Sequence, residues 1–195
     1  MTIKSEEALS LISTKMNKDL ERIIEIPEGV EVSFSGEDTI VKGNGKELKR
    51  SFDIGKVKVT VVDKQVKLVA KGATRRESKM IGTIWAHLKN MIKGVGEDFT
   101  YKLEVCNVHF PMNVKAEGDK IVIKSFLGET TQRIAKVLPE AKVDIKGSQI
   151  TVTSSSIEAA GQTAANLEKA TRLTGRDRRI FQDGIFITEK PGRVI

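Results

Sequence analysis

Four arginines crowd a short stretch near the end of the chain: Arg172, Arg176, Arg178 and Arg179, with Gly175 and Asp177 between them. Phe181, Gly184, Phe186 and Lys190 follow. A guanidinium is planar, permanently charged and forks onto phosphate oxygens in pairs, while glycine lets a loop lie close to another backbone. The chemistry on offer is recognition of structured RNA, which is read mostly through phosphate, 2′-OH and shape. Cations at a helix C-terminus also favour the helix dipole. Two arginines would serve that purpose, and here there are four. Phe181 is open to stacking on a base or to packing; Ile185-Phe186-Ile187 reads as a buried strand.

No other constellation offers chemistry. His87 falls in a helical stretch and His109 lies before Pro111, neither with a second His or a Cys at ligand spacing. Cys106 is the single cysteine, which excludes an internal disulfide and a multi-cysteine zinc site. It sits three residues before His109 in an extended run, a spacing that puts the two side chains on opposite faces, so a small buried thiol is expected instead of a nucleophile. Gly43-Asn44-Gly45-Lys46 joins two strands and lacks phosphate-loop spacing. Carboxylates alternate with lysines as on a solvated surface, with no isolated pair. No enzyme, cofactor, metal or small-molecule substrate is expected.

The elements that must position the arginine loop follow from periodicity. Val57, Val59 and Val61 alternate with Lys56, Lys58 and Thr60, the pattern of a half-buried strand. Val66–Val69 returns after an Asp63-Lys64-Gln65 turn. Gly43-Asn44-Gly45 makes a second hairpin, since Gly and Asn accept the positive φ such turns require. Met80, Ile81, Ile84, Leu88, Met91 and Ile92 fall at helical spacing and predict a helix over 75–93, closed by Gly94. Ile157, Ala160, Ala164, Leu167 and Leu173 predict another over 157–173, capped by Ser154-Ser155-Ser156 and followed by Gly175.

These elements recur. Asp38-Thr39-Ile40-Val41-Lys42 is echoed by Asp119–Lys124, and Val59–Val69 by Val143–Val152, each copy followed by its helix. A repeat of this length is a small domain and not a solenoid unit. The expected fold is therefore α+β: two tandem duplicated domains, each an antiparallel sheet with one helix packed on one face. The expected divisions are an N-terminal extension over 1–24, domains over 25–97 and 98–188, and a C-terminal tail over 189–195.

Composition agrees with a folded, basic protein. The chain has 195 residues, 39% hydrophobic and 30% charged, with a formal net charge of +7. No apolar run approaches the roughly 20 residues a membrane helix needs, and Met1–Leu20 lacks a cleavable hydrophobic region, so a cytoplasmic protein is expected. Charge is unevenly placed. Residues 1–38 carry four basic and nine acidic side chains, 42–79 twelve and four, and 169–193 seven and three. Clustered cations are the footprint of a nucleic-acid binder. Lysines alternating along strands also solvate an exposed sheet face, which makes them the weaker footprint.

Several segments resemble one family. Ile26–Val32, Val41–Leu48 and above all Asn90-Met91-Ile92-Lys93-Gly94-Val95 are similar to the large-subunit ribosomal protein L-six family. His109–Val114, Phe126–Glu129 and Asp183–Phe186 resemble its archaeal and eukaryotic branch. The likeness runs in order from about Ile26 to Lys190. It departs at the first hairpin, where the family commonly has Pro and a basic residue before the turn glycine, and over the residues before Glu25, where Ser5–Leu11 suggests an added amphipathic helix or an acidic lead. The resemblance implies a structural constituent of the large ribosomal subunit, bound to its rRNA beside the factor-binding centre and stalk base. Its partners would be that rRNA, neighbouring ribosomal proteins and translation factors. It places rRNA contact at Arg172, Arg176, Arg178, Arg179 and Lys190, with Lys89 and Lys93 matching the family motif at the first helix end. A freestanding RNA-binding regulator of the same fold, or a protein-interaction module, would also fit the residues.

Overall fold

In each half, valines alternating with lysines and turns built on Gly or Asn give the same run of six strands and a helix. A computed structural model describes residues 18–36, 38–62, 64–108 and 110–195. The first half comprises β1 (Lys18–Glu25), β2 (Val30–Ser35), β3 (Asp38–Gly43), β4 (Lys46–Ser51), β5 (Lys58–Val62), β6 (Gln65–Ala73) and α1 (Arg75–Gly96). The second comprises β7 (Phe99–Cys106), β8 (Asn113–Glu117), β9 (Lys120–Lys124), β10 (Arg133–Lys136), β11 (Lys142–Lys146), β12 (Gln149–Ser154) and α2 (Ile157–Ala170). It continues into β13 (Gly184–Lys190) and β14 (Arg193–Val194). The chain divides into two compact units between Gly96 and Glu97.

Pairing repeats with the order. The first unit has antiparallel sheets β1-β6-β5 and β2-β3-β4; the second has β10-β9-β8 and β11-β12-β7-β13-β14. Each expected sheet is thus a pair of antiparallel sheets, because a short hairpin segment, β2–β4 or β8–β10, pairs only with itself. The duplicated α+β fold holds element by element. The second unit differs in one respect: β13 pairs along β7. The matching strand β1 ends its sheet, and there Trp85 Nε1 donates to the Ile23 carbonyl at 3.3 Å.

Each unit has its own core. Val41, Val66, Leu68, Leu88 and Val95 are fully enclosed in the first. Leu103, Ile121, Ile123, Phe126, Ile150, Leu167 and Ile185 are enclosed in the second. Burial of such side chains contributes roughly 1.5–3 kcal/mol each before entropy is set against it.

Local expectations hold with some corrections. The Gly43–Gly45 hairpin has positive φ at both Asn44 (48°) and Gly45 (72°), the turn that matches strand twist. The expected Asp63 turn falls on a residue outside those described, as does His109. Ser5–Leu11 also lies outside them, whereas residues 18–24, counted with the extension on sequence grounds, form most of β1. Val57 is buried but precedes β5, and Val61 is exposed, because β5 is an edge strand with little packed over it. Gly94 does not end α1. Val95 is a core residue whose Cγ1 occupies the space beside Gly43, where a Cβ would sit 2.7 Å away, so the last turn is held against β3. At the other end, Glu77 Oε2 accepts the Thr74 hydroxyl and its N–H, the latter at 2.9 Å, which holds the Glu77 carboxyl below its usual range, while Thr74 Oγ1 accepts the Arg76 N–H at 3.3 Å. The second helix stops at Ala170 and leaves Leu173 outside it, for a reason that belongs to the arginine loop.

Candidate nucleic-acid interface

The loop between α2 and β13 is set by groups that take over the last helical carbonyls. Arg133, on the edge strand β10, donates from Nη1 to the Ala170 carbonyl at 3.0 Å and to that of Arg172 at 3.3 Å. Its remaining donors fork onto Glu129, Nε to Oε2 at 2.9 Å and Nη2 to Oε1 at 2.7 Å. Its guanidinium lies 4.2 Å from the ring centroid of Phe126, a core side chain. The fork also holds the Glu129 carboxyl below its usual range, with Arg176 adding to the effect. One arginine therefore closes the helix and fixes the exit of the chain.

Beyond the helix the loop is internally tied. Thr171 Oγ1, buried, accepts the Ile185 N–H at 2.9 Å, joining the helix end to β13. Gly175 turns the chain with φ of 71°. Asp177 Oδ1 accepts the Arg179 N–H at 2.9 Å, and the Asp177 carbonyl accepts from Phe181 N at 3.0 Å. Asp183, at the far end, accepts the Val108 N–H and is buried. Free rotation of a loop is entropically costly to arrest at binding, so these ties present the arginines partly ordered.

All four loop arginines are exposed. Arg172 and Arg178 line an open groove of about 990 Å³, together with Lys169, Phe181 and Phe186. Arg176 lies 4.9 Å from the centroid of Phe181, so that partly buried ring packs against a guanidinium. Arg179 does not line the groove. Lys190 is exposed at the opposite end of β13 from Gly184, roughly 20 Å along the strand, so it is not gathered with the arginines. Cys106 lines the groove and is half-buried instead of buried. Desolvation, with Glu104 and Asp183 nearby, pushes its thiol up, the wrong direction for a nucleophile.

In the first unit, Lys89 and Lys93 are exposed on α1. Lys89 Nζ lies 5.0 Å from the Trp85 ring centroid, and Arg22 lies 5.3 Å from it. Among the described residues no group of three or more His, Cys, Asp or Glu could hold a metal, and no helix is long and apolar enough to cross a membrane.

The sequence model of the family described as Ribosomal protein L6 matches this chain twice, over residues 26–98 and 110–184. The chain belongs to the ribosomal protein L6 family. A large ribosomal subunit protein uL6 of Methanobrevibacter smithii is 46% identical over 167 residues, 86% of this chain and 94% of the relative. Proteins of the same name from Methanococcus vannielii and Methanosarcina mazei are 42% identical over 172 residues and 45% over 175, covering 88% and 90% of this chain. The two matched segments fall one in each structural unit, apart from two residues at the boundary, and the family model's double match agrees with the duplication read from strand order. A ribosomal L6 protein is a structural, RNA-associated component of translation and not an enzyme.

Arg133 and Lys169 were missed from sequence. Lys169 carried a signal, since it opens the basic stretch 169–193; it sits in the last turn of α2. Arg133 carried none, since it is 37 residues from the carbonyl it caps and lies in a different sheet.

Proposed function

We propose that this ribosomal L6 protein binds large-subunit rRNA through the loop that carries Arg172, Arg176, Arg178 and Arg179, and braces the RNA near the factor-binding centre and stalk base. The relatives from three methanogens are named as large ribosomal subunit proteins, and their coverage of nearly the whole chain supports the same residence here. The observation that carries the choice of surface is the Arg133 clamp. A loop pinned at both ends, with four exposed guanidiniums and a groove of mixed polar and apolar lining beside it, fits phosphate contact with a base against Phe181 or Phe186. Lys89, Lys93 and Lys190 are secondary contacts in this reading. Neighbouring ribosomal proteins and translation factors would be met around the RNA, in the cytoplasm. The proposed working domains are 25–97 and 98–188, each extended by strand residues that join its sheets, 18–24 in β1 and 189–194 in β13 and β14.

The test is reconstitution. Tagged protein added to large-subunit rRNA and the remaining proteins should sediment with the large subunit, and cleavage from a probe tethered at position 178 should map to rRNA beside the factor-binding centre. Sedimentation with free RNA only would favour a freestanding regulator. Retention on the subunit through a high-salt wash that removes RNA-bound proteins would favour a protein-interaction module.

A further inference from the structure

The two units are copies of one fold, so each helix serves as a control for the other. The exposed residues of α2 are Glu158, Gln162, Ala165, Glu168 and Lys169, nearly balanced in charge. Those of α1 include Arg75, Arg76, Lys79, Lys89 and Lys93 and no carboxylate. The single acid of α1, Glu77, is turned onto Thr74 at the helix start. None of the five cations is ion-paired among the described residues.

Their spacing makes a track. Arg75, Lys79 and Lys93 fall within about 40° of one line along the helix, with Lys89 on its flank, over a length of roughly 27 Å. Gly82, Thr83 and Ala86 lie between the cations, and nothing crowds the position above Gly82. A backbone can therefore approach the helix closely between its positive ends. Lys89 is steadied over Trp85, which Arg22 also approaches. The exposed large hydrophobics of the protein include none on α1. Protein interfaces are anchored by buried aromatic or aliphatic groups, and this face offers none; rows of cations over small residues suit phosphates.

We propose that the solvent face of α1 is a second RNA-binding surface, which engages the phosphate backbone of duplex RNA independently of the arginine loop. It rests on the RNA-binding reading above but uses a different unit of the protein. Two such surfaces on one chain raise the effective concentration of each for a folded RNA that spans both.

Salt-titrated binding of the full chain to a mixed-sequence duplex RNA tests it, with the variant Arg75→Gln/Lys79→Gln/Lys93→Gln. The slope of log affinity against log salt should become shallower by roughly two to three, since each duplex phosphate contact contributes about 0.9. A control removing equal charge from exposed sheet lysines of the second unit, Lys115→Gln/Lys120→Gln/Lys142→Gln, should change it by less than one. Equal effects of the two variants would overturn the proposal in favour of net charge alone. Unchanged binding in the α1 variant, with binding lost in an Arg176→Gln/Arg178→Gln/Arg179→Gln variant, would overturn it and leave the loop reading standing. Unchanged binding in both would sink both. Poly-glutamate bound as tightly as RNA, and lost equally in the α1 variant, would assign the face to an acidic protein instead. As a measurement independent of substitution, bound duplex RNA should protect Lys79, Lys89 and Lys93 of the unaltered chain from amine acetylation; full reactivity there would contradict the proposal.

Discussion

Replacing Arg133 with Gln should loosen the arginine loop without touching any residue assigned to RNA. The substitution removes the Nη1 donor from the carbonyls of Ala170 and Arg172, the fork onto Glu129 and the cation over Phe126. The carbonyl bonds are worth about 1 kcal/mol each. The Glu129 pair is partly solvated, with side-chain exposures of 24% and 40%, and merits at most about 1 kcal/mol. The contact over Phe126 adds roughly 0.5–1 kcal/mol. These terms share one side chain and do not add fully, so about 2–3 kcal/mol is expected from the second unit. That corresponds to a drop of roughly 10 °C or more in its melting temperature. Hydrogen exchange resolves the effect by unit: amides from Thr171 to Ile185 should lose protection while those of α1 keep theirs. Glu129→Gln should be milder, because Arg133 retains its carbonyls. The dependence on pH follows from the lowered carboxyl of Glu129. Its contribution is complete above the ordinary glutamate range near about 4.3 and is lost as pH falls through the depressed value, so wild type and Glu129→Gln should converge in acid. Unchanged exchange in the loop of Arg133→Gln, or a Glu129→Gln variant equally damaged at neutral pH, would refute the clamp.

Thr171→Val should cost the second unit about 1–3 kcal/mol in denaturant unfolding, since it strands the buried Ile185 N–H. Gly43→Ala should cost the first unit about 1–3 kcal/mol, its Cβ falling 2.7 Å from Val95 Cγ1 and 2.9 Å from the Gly29 carbonyl; a neutral effect would mean that the last turn of α1 yields freely. Alkylation of Cys106 at pH 8 should run slower than that of a free thiol, because burial holds it protonated. Faster labelling would mean that the thiol is activated.

Much of this architecture is legible in the chain because it rests on short-range rules. The Gly43–Gly45 turn, the Ser156 cap and the apolar stripe from Ile81 to Ile92 are each specified within a few residues, and the repetition of their order gives the duplication. Ser156 Oγ accepts the Ala159 N–H at 3.3 Å, as a cap in that position should. Helix ends were less legible. Val95 continues α1 past Gly94 because it packs beside Gly43, more than fifty residues earlier, and Arg133 ends α2 from another sheet. Two sheets per unit, and the addition of β13 and β14 beyond β7, depend on which edges meet and leave no periodic mark. The loop arginines announced themselves by density. The α1 track did not, since Arg75, Lys79 and Lys93 align only once the helix is wound, and counting charge over 42–79 mixes Arg75 and Lys79 with lysines on strands and leaves Lys93 out.

The central claim is that the arginine loop carries rRNA binding. Salt-titrated affinity of the full chain for large-subunit rRNA, with and without Arg176→Gln/Arg178→Gln/Arg179→Gln, tests it most directly. The account predicts weaker binding and a slope reduced by roughly two to three in the variant, with its melting temperature unchanged. Equal affinity and equal slope in the two proteins would contradict it.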